Sequence, residues 1–250
     1  MPMRAWPLVF TVMLMASTPA GAGEPARRAG TAFPEGVPAV EARSVSMASQ
    51  SVRHLVFTPS GYGAEPDRRW PLIVGLHGTA GRPEGVMGFQ RLTELAERYG
   101  FLVVCPHSSG VGELHRRYVM RVLEETEAHY RVDPERIFLL GFSRGGAGVV
   151  QLAAEYPGRW AALAPISPAI RSRASEVEDL RHLPIILVVG DRDRAISVGT
   201  VRRWARRMEE LGMRHQLVEL PGLGHDLRRV NFLPLVFEFF RRSGARRSAD

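Results

Sequence analysis

Leu139-Leu140-Gly141-Phe142-Ser143-Arg144-Gly145-Gly146 is the stretch from which the fold of this chain is read. The apolar run Ile137 to Leu140 predicts a short buried strand, and Ala147 to Tyr156 predicts a helix. Between them stands Gly-x-Ser-x-Gly, the pattern that lifts a serine hydroxyl above a sheet on a sharp, strained turn. Side chains at 141 and 145 would collide with the neighbouring strand and helix, so glycine is expected there. Ser143 is then placed at the helix start, where free N–H groups and the positive end of the dipole favour an oxyanion.

Working outward, further apolar runs read as strands: Val52 to Thr58, Pro71 to Leu76, Phe101 to Cys105, Trp160 to Ile166, Pro184 to Val189 and Gln216 to Leu220. The uninterrupted ones suit strands buried on both faces of a parallel sheet, and alternating Gln216 to Leu220 suits a sheet edge. Helical spacing links Leu92, Leu95, Ala96 and Tyr99, with Gly100 as the stop, and also Val119, Leu123 and Tyr130. Val201, Trp204, Met208 and Leu211 form an apolar stripe, and Leu233 to Phe240 predicts a closing helix. Strands alternating with helices imply right-handed crossovers and a mostly parallel central sheet with helices on both faces. Ser167 to Leu183 is too short for a large lid, so an open or lightly covered site is expected.

Of 250 residues, 45% are hydrophobic, enough for one well-cored domain. Arg4, the apolar run Ala5 to Met15 and Ala20-Gly21-Ala22 predict a signal peptide over residues 1–22 and therefore export, periplasmic or secreted. Residues 23–38 read as a flexible leader, 39–243 as the α/β domain and 244–250 as a basic tail. The net charge is +7, and every basic side chain is arginine. These arginines are spread along the chain beside acids, as in Arg206-Arg207-Met208-Glu209-Glu210, which predicts a solvated surface with no nucleic-acid or membrane partner. Cys105 stands alone and excludes an internal disulfide. His54, His107 and His129 lack metal-ligand spacing, and no cofactor is expected.

A serine needs a base to take its proton and an acid to orient that base. Two loops at strand ends offer them: Gly190-Asp191-Arg192-Asp193 and Gly222-Leu223-Gly224-His225-Asp226. His225 is the expected base. Asp191 and Asp193 both remain open as the acid, while Asp226 reads as a cap or surface acid. Arg144 follows the serine and should give one oxyanion N–H, and the loop after Leu76 should give the other.

With Leu76-His77-Gly78-Thr79, Gly141-Phe142-Ser143-Arg144-Gly145-Gly146, Ala164-Pro165-Ile166-Ser167, Gly190-Asp191-Arg192-Asp193 and Gly222-Leu223-Gly224-His225 in this order, the chain resembles α/β-hydrolase-fold serine esterases. It is similar to the group of feruloyl esterases, polyhydroxybutyrate depolymerases and "predicted peptidase" esterases. The resemblance implies an α/β-hydrolase fold and ester cleavage by Ser143, His225 and Asp193, the acid three residues after the strand-ending glycine. It also implies Thr79, with Ala80 as the alternative, as the second oxyanion donor; His77 reads as a structural residue shaping that loop rather than as a second base. The implied substrate is a small-molecule or polymer-attached ester. A peptidase on the same fold and a non-catalytic binding protein are the alternatives. The loop Pro106-His107-Ser108-Ser109-Gly110 lacks the tryptophan often found there in relatives.

Overall fold

Successive side chains of a strand point to opposite faces, so an unbroken apolar run can be buried only with helices on both sides. The computed structural model describes residues 40–47, 50–170 and 174–244. The expected signal peptide and leader, and the tail after Gly244, lie outside the described residues. In chain order the elements are β1 (Val40–Met47), β2 (Gln50–Phe57), β3 (Trp70–Leu76), α1 (Pro83–Met87), α2 (Leu92–Tyr99), β4 (Leu102–Pro106) and α3 (Glu113–His129). There follow β5 (Val132–Phe142), α4 (Arg144–Glu155), β6 (Ala162–Ile166), β7 (Ile185–Gly190), α5 (Val198–Glu210), β8 (His215–Leu220) and α6 (Leu233–Gly244).

The period of two sorts the core into two layers. Leu72, Val74 and Leu76 of β3 pack with Val119 of α3, Val149 of α4 and Trp204 of α5. Ile73, on the other face, packs with Val86 of α1, Leu92 of α2 and Phe237 of α6. β7 divides the same way, with Leu187 and Val189 on the first face and Ile186 and Val188 on the second. The sheet runs β1-β2-β4-β3-β5-β6-β7-β8. From β4 to β8 all neighbours are parallel, while β1 and β2 form an antiparallel hairpin that joins β4 antiparallel.

This order reverses direction at β3. The chain leaves β3 for β4 on one side and later crosses to β5 on the other. In open α/β sheets such a reversal leaves a crevice beyond the carboxyl ends of the strands, and ligands bind there. Here the crevice lies where Leu76 pairs with Gly141, one residue before His77 and two before Ser143.

Three elements depart from the sequence reading: the five-residue helix α1, which falls outside the predicted helices, and the strands β1 and β5. β1 was not anticipated, because most of its residues are at least partly exposed and its apolar positions are few. β5 begins at Val132 and runs through Asp133-Pro134, five residues ahead of the expected strand start at Ile137. The strand accommodates the proline where its register on β3 shifts, between the Trp70–Val132 and Leu72–Ile137 pairs. A proline, which cannot donate to the ladder, is tolerated at such an irregularity. Between β6 and β7 the described residues form one short 3-10 segment, Ala174–Leu180, and no lid.

Candidate active site

Ser143 sits between β5 and α4 with φ 56 and ψ −115, a conformation that costs a residue with a Cβ on the order of 1–3 kcal/mol. The surrounding backbone holds it there. Its N–H donates to Ile166 O at 2.8 Å, and its carbonyl accepts from Ala147 N at 3.2 Å and Ala169 N at 2.9 Å. The flanking glycines are required by crowding. A Cβ on Gly141 would stand 2.3 Å from Gly145 O, and one on Gly145 would stand 2.3 Å from Leu76 O. The turn is thus clamped between its own helix and the end of β3.

Loops after β7 and β8 meet above this turn. Gly190 ends β7 so close to the second loop that a Cβ would lie 2.3 Å from Leu223 O. His225 Nε2 is 3.0 Å from Ser143 Oγ, and its Nδ1 is 2.8 Å from Asp193 Oδ2. The other Asp193 oxygen accepts from the N–H groups of Ala195 and Ile196, both at 2.9 Å. With its side chain fully buried and both oxygens occupied, Asp193 can hold the imidazole in one orientation and one tautomer. The face of the ring lies against Phe142, 5.0 Å between centroids. A hydroxyl aligned with an imidazole that is itself aligned by a buried carboxylate can give up its proton as it attacks a carbonyl.

After β3 the chain turns through His77-Gly78-Thr79-Ala80-Gly81. Gly81 N donates to Gly78 O at 3.1 Å, with Ala80 at φ 54 completing the turn. A Cβ on Gly78 would be 3.4 Å from Ser143 Cβ, so the loop lies directly beside the serine. Thr79 lines the cavity in front of Ser143; Ala80 is not among its lining residues. Arg144 is the first residue of α4, where the helix offers its N–H no partner. Its side chain turns aside and donates from Nε to Ser109 Oγ at 3.3 Å.

The cavity has a volume of about 760 Å³. Val86, Phe89, Leu140, Phe142, Ile166 and Leu227 give it apolar walls, with Arg82 and Arg228 at the rim. Among the described residues no group of three His, Cys, Asp or Glu side chains could hold a metal ion, and no helix is long and apolar enough to cross a membrane.

A family model described as phospholipase/carboxylesterase matches residues 115–240, half of the chain and the part that carries Ser143, Asp193 and His225. The chain belongs to the phospholipase/carboxylesterase family. Among curated relatives it is similar to NocK of Nocardia uniformis subsp. tsuyamanensis, designated an esterase, at 28% identity over 61% of this chain and 48% of NocK. It also matches a bifunctional acetylxylan esterase/xylanase of Neocallimastix patriciarum, at 26% identity over 56% of this chain and 22% of that protein. The chain therefore spans about half or less of the length of these relatives. Among solved structures, a ferulic acid esterase superposes with a TM-score of 0.70 at 16% identity, covering 82% of this chain and 98% of that one. The likeness is one of α/β-hydrolase fold.

Within this family frame the structure brings Ser143, His225 and Asp193 together and sets Thr79 and Arg144 beside the serine. Asp191, the other candidate acid, points elsewhere: its Oδ1 accepts from Gly222 N at 2.8 Å and ties the two loops together. Asp226 pairs with Arg228 through two side-chain contacts at 2.8 and 2.7 Å, and that guanidinium holds its carboxyl well below the usual carboxylate range. His77 brings Nδ1 within 2.8 Å of Gly78 O, and burial lowers its pKa, so it is a neutral brace of the turn. Cys105 is fully buried, and desolvation pushes its thiol far above the ordinary range. Sequence reasoning missed the aromatic wall, Phe89 and Phe142. Phe142 lies inside the quoted motif, and its position next to the serine was the available signal.

Proposed function

We propose that the protein is a serine hydrolase that cleaves carboxylic esters through an acyl-enzyme. The observation that carries this reading is the continuous set of contacts from Ser143 Oγ through His225 to buried Asp193. In the first half-reaction the Ser143 oxygen bonds to the ester carbonyl carbon, and His225 accepts the serine proton. As the tetrahedral intermediate collapses, the carbon–oxygen bond to the alcohol breaks and His225 returns the proton to the leaving group. Water, deprotonated by His225, then attacks the acyl-serine; as this second intermediate collapses, the bond from the acyl carbon to Ser143 Oγ breaks, His225 returns the proton to that oxygen and the acid is released. Asp193 keeps the imidazole aligned and stabilises its charged form. The N–H groups of Arg144 and Thr79 receive the developing oxyanion, a contribution worth roughly a hundredfold or more per donor. No metal or organic cofactor enters this scheme.

The apolar walls suit an uncharged acyl group. The names of the similar proteins, acetylxylan esterase and ferulic acid esterase, favour a small or polymer-attached ester as substrate. We also infer export, on the signal-peptide pattern of residues 1–22. Labelling with a fluorophosphonate followed by peptide mapping tests the mechanism. The adduct is expected on Ser143 and absent in His225→Ala, and Ser143→Ala should abolish hydrolysis of p-nitrophenyl acetate without altering the circular dichroism spectrum. Undiminished turnover by Ser143→Ala would sink the assignment.

A further inference from the structure

Gln90 bridges the two halves of the candidate site. It lies in a 3-10 turn, Phe89–Arg91, between α1 and α2, directly after Phe89, which lines the cavity. The backbone is left-handed at both Gln90 (φ 47, ψ 35) and Arg91 (φ 63, ψ 37). Residues with a Cβ rarely adopt this conformation, and it persists only where the surroundings over-determine it. What it achieves here is to aim one amide at a segment 137 to 142 residues further on. Gln90 Nε2 donates to Leu227 O at 2.7 Å and to Val230 O at 2.5 Å, and Oε1 accepts from Phe232 N at 3.2 Å.

All three partners belong to the stretch from Pro221 to Phe232, which carries His225 and contains no helix or strand. A segment without its own ladder depends on outside partners for a defined position. Upstream of His225, Asp191 holds Gly222 N and Arg192 N donates to Leu223 O at 2.9 Å. Downstream, Gln90 gathers three backbone groups at one point. Its neighbour Phe89 packs on Phe142 and Phe232, at 5.9 and 6.0 Å between centroids, and Phe142 is the ring that lies against His225.

We propose that Gln90 is a positioning residue for the reaction, the downstream pin that fixes the His225 loop so that Nε2 meets Ser143 Oγ. The inference rests on the reading of His225 as the general base. Misplacing a catalytic group by about 1 Å can cost roughly a hundredfold in rate, so loss of this pin is expected to show in kcat.

The test compares wild type with Gln90→Met, which keeps length and packing without hydrogen bonds, and Gln90→Glu. The latter can still accept from Phe232 N–H but turns a carboxylate toward the carbonyls of Leu227 and Val230. With p-nitrophenyl acetate, both variants should lose kcat by about tenfold or more with KM changed less than about threefold. Fluorophosphonate labelling of Ser143 should slow by the same factor. Relative to wild type at each pH, Gln90→Glu should recover as acid protonates the introduced carboxyl and restores a donor, whereas Gln90→Met should not. A folded Gln90→Met protein with wild-type kcat and labelling rate overturns the proposal, even if its melting temperature falls. Failure of both variants to fold overturns it too, since the pin would then belong to the fold. If wild type itself is not labelled, the hydrolase reading fails; a labelled wild type matched by Gln90→Met rejects only the pin.

Discussion

Asp191 and Asp193 are two residues apart in one loop, yet their surroundings differ completely. Asp193 is sealed beneath His225, whereas Asp191 is exposed and serves as a tie to Gly222. Replacing Asp193 with Asn keeps the shape but forfeits the charge and the enforced tautomer, a change that costs about ten-thousandfold in kcat in a comparable triad. Asp191→Asn should lose less than about tenfold, and steady-state assays of the pair separate the two roles. Comparable losses in both would contradict the assignment of Asp193. The candidates Ser143 and His225 stand out in the sequence, Ser143 through glycines two residues to either side and His225 through the Gly-x-Gly that precedes it after a strand. The acid could be chosen only through the family resemblance. What distinguishes Asp193 physically is the turn that gives its oxygen the N–H groups of Ala195 and Ile196, and that turn is visible only in three dimensions.

Among the elements, the β5 turn and α4 are the most tightly fitted. An alanine at 145 must push its methyl into Leu76 O, the last carbonyl before the His77–Gly81 turn. Overpacking of this kind costs about 1–3 kcal/mol or more. For a domain of this size that corresponds to roughly 2–4 °C in melting temperature per kcal/mol. Gly145→Ala should therefore melt several degrees lower, and it should lose proportionally more activity because the displaced strand end carries the Thr79 loop. A variant that melts and turns over like wild type would show that the contact is slack. The sequence announced elements whose pattern is purely local: α2 stops at Gly100, φ 69, as its spacing predicts. Elements held mainly by partners were hidden. β1 exists through its pairing with β2, and the left-handed kink at Gln90 exists through bonds to a loop more than 130 residues away.

For the whole molecule, pH acts through buried imidazoles. His54 has no exposed surface, and desolvation, the largest effect on it, lowers its pKa despite Glu125 Oε2 at 3.4 Å. Arg43 also faces that carboxylate, at 2.8 Å, and further opposes a charged His54. The unfolded chain binds a proton near the ordinary imidazole value of about 6.5, while the folded chain resists it. The unfolded state then holds more protons, and stability falls as pH drops below about 6.5. Melting temperatures should decline over that range, and less steeply in His54→Gln. Parallel pH profiles for the two proteins would assign the decline to other groups. His225, finally, is carried just beyond β8, and among the described residues β8 has β7 as its sole neighbour in the sheet, whereas Ser143 rises from β5 with a strand on either side. Edge elements open at lower free energy than central ones. On slow heating the protein should therefore go silent before it melts: esterase turnover fades while far-ultraviolet ellipticity is still near its native value, and prompt cooling restores it. The working lifetime of the protein is then set by the grip of its outermost parallel strand and not by the durability of its core.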